Sequence, residues 1–289
     1  MHQSSRPLSV LTREDALNFA RAYLKRSAVA AAALDARVLT CAACDISNEE
    51  LIRDGDIPIA LGVFRRLEKF LIRRSDGEPV SRILGKREFY GLEFKICSAT
   101  LDPRPDSEVL VDAIKKLDLP TFADVLDLGT GSGCLLITLL HQYDSWQGLG
   151  VDISAQALRT SRINAARLGV RDRAAFRQSD WFTRVFERYD LIVTNPPYIA
   201  HDDIRGLEKE VRIHDPIQAL DGGFDGLDPY RLIIKRASQY ITAHGWLICE
   251  IGHDQERAVR SLFSDGGFDQ IECGKDLSGR ARFVLGQRN

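Results

Sequence analysis

At 289 residues, 44% of them apolar and 28% charged, the chain has the composition of a soluble globular protein with room for one large or two ordinary domains. Its 39 basic and 41 acidic side chains leave a net charge of −2, so the composition does not advertise tight binding driven by nucleic-acid phosphates. No apolar run approaches the ~18 residues of a membrane span, no signal-peptide pattern opens the chain, and a cytoplasmic protein with reduced thiols is expected. The six cysteines are scattered, and Cys41-Ala-Ala-Cys44 lacks the second pair or nearby histidine that would complete a zinc site.

The first ten residues are polar and are expected to be frayed. From Thr12, an N-cap with Asp15 at the third helical position, a helix is predicted with Leu17, Ala20, Tyr23 and Leu24 on one face. A second runs through the alanine-rich stretch to Ala43, and Ser47-x-x-Glu50 is a capping-box pattern opening a short third. Beyond Pro58, Leu61, Phe64, Leu67, Phe70 and Leu71 keep helical spacing up to Arg74, with Arg65, Arg66, Lys69, Arg73 and Arg74 expected to form a solvated basic face. Residues 1–82 therefore read as a small helical domain. Residues 83–104 read as a linker built on a β-hairpin, with Gly91 between Phe89-Tyr90 and Leu92-Glu-Phe-Lys-Ile96.

Residues 105–289 read as one α/β domain, opening with a helix from Pro105 to Leu117. Strands are predicted at 123–128, 147–152, 173–178, 190–194, 246–251, 268–273 and 281–286, with helices between them. This alternation implies a doubly wound, mainly parallel seven-stranded sheet of Rossmann-like type, its last strand antiparallel because only a short turn at Ser278-Gly279 precedes it.

Two motifs on this sheet carry chemistry. Asp124-Val-Leu-Asp-Leu-Gly-Thr-Gly-Ser-Gly133 is a strand running into Gly129-x-Gly131-x-Gly133, a turn that lets a ligand approach the backbone. The next strand ends in Asp152, 23 positions after Gly129, close to the ~20-residue offset at which an acid grips a ribose diol. Nicotinamide cofactors remain open on these residues. The run Leu191-Ile-Val193, however, leads into Asn195-Pro196-Pro197-Tyr198, a stiff turn of hydrogen-bond acceptors at a strand's carboxyl end. Such a turn suits a planar NH2 group and has no use in hydride transfer. Methyl transfer from S-adenosylmethionine onto an amide or amino nitrogen explains both motifs.

Nearly the whole chain resembles the class I S-adenosylmethionine methyltransferases and, within them, the glutamine N5-methyltransferases that modify peptide chain release factors. The resemblance is carried by Leu34-Asp-Ala-Arg-Val-Leu39, by Gly77-Glu-Pro-Val-Ser-Arg-Ile-Leu-Gly-Lys-Arg-Glu-Phe-Tyr-Gly91, by Pro103-Arg-Pro-Asp-Ser-Glu108 and by Ala219-Leu-Asp-Gly-Gly-Phe-Asp-Gly-Leu-Asp228, besides the two motifs above. The chain departs from the family pattern at Asp102, where an apolar residue is usual, at Ser107, where threonine is common, and at His214-Asp215-Pro216, where Glu-Pro is usual. Asp102 beside Arg104 reads as a local ion pair.

The resemblance implies that Gly129, Thr130, Gly131, Ser132 and Gly133 wrap the methionine part of the cofactor and that Asp152 holds its ribose; the competing reading of Asp152 is a cap on the helix near Ser154. It also implies that Asp180 and Trp181 flank the adenine and that Asn195 borders the cofactor as well as the substrate. Asn195 Oδ1 and the Pro196 carbonyl are expected to accept the two N–H bonds of the target amide, with Pro197 stiffening the turn and Tyr198 facing the amide plane and the transferred methyl. No metal is expected. The implied partner is a release factor carrying a Gly-Gly-Gln loop, with no direct nucleic-acid binding and no membrane. The nearest rival is a nucleic-acid adenine N6-methyltransferase, whose flipped base offers a similar NH2 group; a non-catalytic docking protein that keeps the fold is the rival of another class.

Overall fold

The computed structural model describes residues 11–289 and divides between Leu84 and Gly85 into two compact units. The expected fraying of the first ten residues lies outside the described residues. No helix among the described residues is long and apolar enough to cross a membrane.

The smaller unit is helical. Its first helix, α1 (Arg13–Arg26), starts at a reciprocal capping box: Thr12 Oγ1 accepts from Asp15 N, and Asp15 Oδ2 accepts from Thr12 N. The face that α1 buries, Ala16, Leu17, Ala20 and Leu24, has the spacing read from the sequence, with Tyr23 half-buried at its edge. Helices α2 (Ala32–Cys44), α3 (Asn48–Arg53), α4 (Leu61–Ser75) and α5 (Val80–Leu84) follow, α3 opening on the Ser47/Glu50 capping box. Leu39, Leu67, Leu71 and Ile83 complete one core with the α1 face. Arg74, expected on the solvated basic face, instead turns into this core, where its Nε donates to Asp35 Oδ2 at 2.7 Å and both side chains are about nine-tenths buried. Asp35 lies inside the Leu34–Leu39 segment, so this segment's sequence reflects a buried ion pair as well as an apolar face.

The larger unit opens with the hairpin β1 (Lys86–Phe89) and β2 (Leu92–Lys95), joined at Tyr90 and Gly91, both at positive φ as a two-residue turn of the right twist requires. Phe89 and Phe94 are fully buried in the same core as the helices that follow, so the hairpin belongs with the sheet's packing. The helix expected from Pro105 to Leu117 is divided into a tight 3-10 turn, Pro105–Ser107, and α6 (Glu108–Ile114), whose end relaxes into i→i−3 bonds at Lys116 and Leu117.

Then come β3 (Asp124–Leu128), α7 (Cys134–Gln142), β4 (Gln147–Asp152), α8 (Ala155–Arg167), β5 (Ala174–Gln178), β6 (Tyr189–Thr194), α9 (Lys209–His214), α10 (Asp228–Ala237), β7 (Ile241–Glu250), α11 (Glu256–Asp265), β8 (Phe268–Lys275) and β9 (Ala281–Arg288). The sheet order is β5-β4-β3-β6-β7-β9-β8, parallel except for β9, which is antiparallel to both its neighbours. Strand β7 starts five residues before its predicted position. Of its early residues, Thr242 is half-buried, Ala243 and His244 are exposed, and His244 has a positive φ, so no apolar alternation marks them.

Alternate strand residues face opposite cores. Val125, Leu191, Val193 and Ile248 pack with α6 and α7; Leu126, Ile192 and Leu247 pack with α10 and α11. The chain order reverses between β3 and β6, and at such a switch point the loops after two neighbouring strands diverge and open a crevice. The glycine turn follows β3 and Asn195 follows β6.

Candidate active site

A cavity of roughly 260 Å3 occupies that crevice. Its lining includes Gly129, Thr130, Gly131, Ser132, Asp152, Asp180, Trp181, Asn195 and Pro197. The fold thus joins loops from β3, β4, β5 and β6 in one site. Gly133, Pro196 and Tyr198 are not among the lining residues.

The glycine turn keeps its shape through backbone conformation and buried polar anchors. Gly129 and Gly131 sit at φ 73° and 56°, the left-handed region that side chains resist. A Cβ on Gly129 would meet nothing closer than the Trp181 ring at 3.8 Å, so strain and not crowding dictates glycine here. Gly129 N and Thr130 N both donate to Val151 O at 2.9 Å, and Thr130 Oγ1 donates to Asp127 Oδ2 at 2.6 Å. Burial pushes the Asp127 carboxyl up to about 7, against the bond from Thr130. Behind the turn, α8 supplies Ser161, whose hydroxyl donates to Gly131 O at 2.8 Å, and Asn164, whose Nδ2 donates to both Ser132 O and Lys95 O at 2.9 Å. Asn164 Oδ1 also accepts from Lys95 N, so one fully buried amide ties β2 to the glycine turn.

Asp152 ends β4. Its Oδ2 accepts from Gly131 N at 2.9 Å and its Oδ1 from Ser154 N at 2.8 Å; burial raises its pKa, opposed by these two bonds. The cap of α8 is Ser154, whose hydroxyl accepts from Ala157 N. Asp152 therefore fastens two loops together, and each of its oxygens keeps a lone pair for a further donor. Trp181 stands at φ 46°, held by the Ser179 hydroxyl on its carbonyl at 2.8 Å. A non-glycine residue there is strained, and the conformation puts the ring over Gly129.

Asn195 sits half-buried, its Nδ2 3.4 Å from Ser107 Oγ. The preceding Thr194 is fixed by a 2.7 Å bond from its hydroxyl to Leu128 O. Tyr198, expected to face the transferred methyl, instead packs its ring against the core that holds α10 and α11, where burial pushes its hydroxyl up to about 12. Its carbonyl is clamped: Gln255 Nε2 donates to Tyr198 O at 2.9 Å and to Gly226 O at 3.1 Å. A Cβ on Gly226 would fall 2.4 Å from Tyr198 O, so the glycines of the 222–226 loop let its backbone lie directly on the Pro-Pro turn.

The cavity's outer walls come from Pro103, Arg104 and Ser107 and from Pro216, Gln218 and Ala219. Arg104 bridges them, its Nη2 2.6 Å from Asp215 Oδ2. Arg104 does not pair with Asp102, as its position in the chain suggested; Asp102 is buried, with Arg87 Nε 3.9 Å from its Oδ1. The departures at Asp102 and Asp215 thus belong to different contacts.

Residues 97–220 match the family Methyltransferase small domain, and residues 15–85 match the family PrmC N-terminal domain. A release factor glutamine methyltransferase of Agrobacterium fabrum is 41% identical over 274 residues, covering 93% of this chain and 95% of that protein. One from Cereibacter sphaeroides is 43% identical over 270 residues, covering 93% and 96%. The chain belongs to the release factor glutamine methyltransferase family. Solved structures extend the likeness at the level of the fold: the hMettl16 catalytic domain aligns with a TM-score of 0.57 at 17% identity, covering 78% of this chain and 81% of that one. A Pyrococcus furiosus methyltransferase gives 0.52 at 14% identity, covering 69% and 90%.

Within this member of the family, several residues that shape the site went unread in the sequence. Asp127 and Glu250 are acids in or at the end of otherwise apolar strands, a mismatch that marks a buried ionisable group. Asn164 and Ser161 carry no such mark, because polar residues on a surface helix are ordinary.

Proposed function

We propose that the protein transfers the methyl group of S-adenosylmethionine to the side-chain amide nitrogen of the glutamine in the Gly-Gly-Gln motif of peptide chain release factors. The observation that carries this reading is the presence of Asn195 in the same cavity as the glycine turn and Asp152.

The cavity suits the cofactor. Gly129 and Gly131 present bare backbone, the Asp152 carboxylate retains acceptor capacity for ribose hydroxyls, and the half-buried Trp181 offers an apolar face beside Asp180. When bound, S-adenosylmethionine supplies a methyl group on a positively charged sulfur. An amide nitrogen is a poor nucleophile because its lone pair is delocalised into the carbonyl. Asn195 Oδ1 and the Pro196 carbonyl would accept its two N–H bonds, hold the nitrogen in position and strengthen their grip as positive charge develops on it. The methylated nitrogen then loses a proton to water, so no ionised base is required before attack. Pro197, the Gln255 clamp and the 222–226 loop keep this turn from yielding.

The helical unit supplies recognition of the intact protein substrate in this reading. One glutamine side chain is too small to distinguish a release factor from other proteins, and residues 1–82 are not needed to build the sheet. Direct nucleic-acid binding forms no part of the proposal, and the site of action is the cytoplasm.

Incubation with methyl-labelled S-adenosylmethionine, a release factor, its Gly-Gly-Ala variant and DNA tests the reading. Label is expected in the intact release factor alone. Label in DNA, or equal label in the Gly-Gly-Ala variant, would overturn it.

A further inference from the structure

Strands β6 and β7 pair in parallel with Thr194 opposite Cys249, so the next residues on each, Asn195 and Glu250, are neighbours across the sheet's carboxyl edge. Alternation puts both on the side of the sheet that also carries Leu191, Val193 and Ile248. Ser107 approaches that side from the turn before α6. Glu250 is only 1% exposed, and its backbone carbonyl is fixed by a 2.8 Å bond from the Tyr230 hydroxyl. Beside this carboxyl Asn195 Nδ2 donates to Ser107 Oγ at 3.4 Å, both side chains favour its charged form, and Oε2 has no hydrogen-bond partner within the protein.

A carboxylate accepts hydrogen bonds and donates none, so the end of the Asn195 amide turned toward Glu250 must be its NH2 group. The other end, Oδ1, is then free for the cavity. Without this constraint an asparagine amide can flip and present NH2 to a substrate NH2, the wrong polarity for binding.

We infer that Glu250 is a positioning residue for methyl transfer, its buried carboxylate holding the Asn195 amide with Nδ2 inward and Oδ1 toward the target nitrogen. The inference rests on the reading of Asn195 as acceptor for the glutamine amide. Protonated Glu250 becomes a donor, competes for Oδ1 and releases the flip. Burial pushes this carboxyl up to about 7, opposed by Ser107, Arg282 and Asn195 and reinforced by Asp106. The remaining ionisable groups that face it are Tyr198, Tyr230 from α10 and Cys134 from α7, all raised by burial and neutral near pH 7. Arg282 keeps its charge across this range. Turnover should therefore rise with pH through about 7 and level off above it.

The test measures kcat on an intact release factor from pH 6 to pH 9, with calorimetric S-adenosylmethionine affinity alongside. Glu250→Gln keeps the shape and removes the charge; kcat at pH 8 should fall about tenfold, cofactor affinity should stay within about twofold, and the pH limb should vanish. Ser107→Ala keeps the carboxyl but removes a donor that favours its charged form, so the midpoint of the limb should move to higher pH. A Glu250→Gln enzyme with wild-type kcat and an intact limb, or a Ser107→Ala limb that does not move, would overturn the assignment. Failure of the parent reading looks different: there Asn195→Ala would turn over at the wild-type rate or the wild type would not label the release factor.

Discussion

Replacing Asn195 by alanine removes the amide at one end of the cavity while Thr194 stays anchored to Leu128. Turnover should fall roughly 10²–10³-fold, the usual effect of deleting one preorganised group that meets developing charge, with an unchanged unfolding midpoint; kinetics at saturating cofactor and a thermal melt check both. Asp152→Ala acts elsewhere. Lost bonds to a charged acceptor contribute roughly 1.5–3 kcal/mol each, so S-adenosylmethionine affinity should weaken at least about tenfold by calorimetry. The release of Gly131 N and Ser154 N adds to that loss by loosening the turn. Unaltered affinity would leave Asp152 as a loop fastener only. Asp127 gives a pH signature of stability. Its carboxyl titrates near 7 in the folded protein against an ordinary 3.8, so between these values the folded state holds a proton that the unfolded chain has released. The contribution of Asp127 to stability is therefore fully present below about pH 4 and is lost as pH rises through 7. Asp127→Asn removes the ionisation, so the variant's melting temperature minus that of the wild type should grow from pH 4 to pH 8. A constant difference would show that Asp127 ionises freely in the fold.

At the scale of elements, α8 is the strut behind the glycine turn. Asn164→Ala would break its bonds to Lys95 O and Lys95 N and leave Ser132 O buried without it, at a cost of about 2–4 kcal/mol in urea unfolding. Cofactor affinity should fall with it, because Ser132 lines the cavity. The contrast between Asn164 and the glycine turn explains what was legible in the sequence. Helix faces, both capping boxes, the glycine turn and the Asn-Pro-Pro-Tyr corner are written in residues within a few positions of one another, where period, φ preference and cap chemistry act. Asn164 bonds to a residue 69 positions away, and Arg104 to one 111 positions away. Nothing local encodes such partners, and the local guess for Arg104 chose the adjacent Asp102. The tight turn before α6 was hidden for a related reason, since Ser107 belongs to the Asn195 and Glu250 cluster and its conformation answers to that cluster as much as to its own helix.

At the scale of the whole molecule, the division between Leu84 and Gly85 separates the core of the helical unit from the two cores that flank the sheet. A protein lacking residues 1–84 should therefore still bind S-adenosylmethionine but methylate intact release factor poorly at concentrations below the half-saturation point of the full chain. Full activity under those conditions would show that the helical unit does not recognise the substrate. Within the helical unit, Asp35→Ala removes the buried carboxylate bonded to Arg74 Nε and should destabilise that unit by roughly 3–5 kcal/mol, read as a separate early unfolding transition.

The sheet order has a consequence for how this enzyme is made. Strand β9 lies between β7 and β8, although it is the last of the three in the chain. While the polypeptide is being synthesised, β7 waits with one edge of its backbone unpaired, and β8 has no neighbour at all, until residues 281–288 emerge and slide between them. An unpaired apolar edge such as Leu247–Cys249 is a template for pairing with another nascent chain. The N-terminal helices can pack early, but the crevice holding Asn195 and Glu250 cannot set until β9 arrives. A translation stall that cuts the chain short before residue 281 should therefore yield an aggregating product with no site.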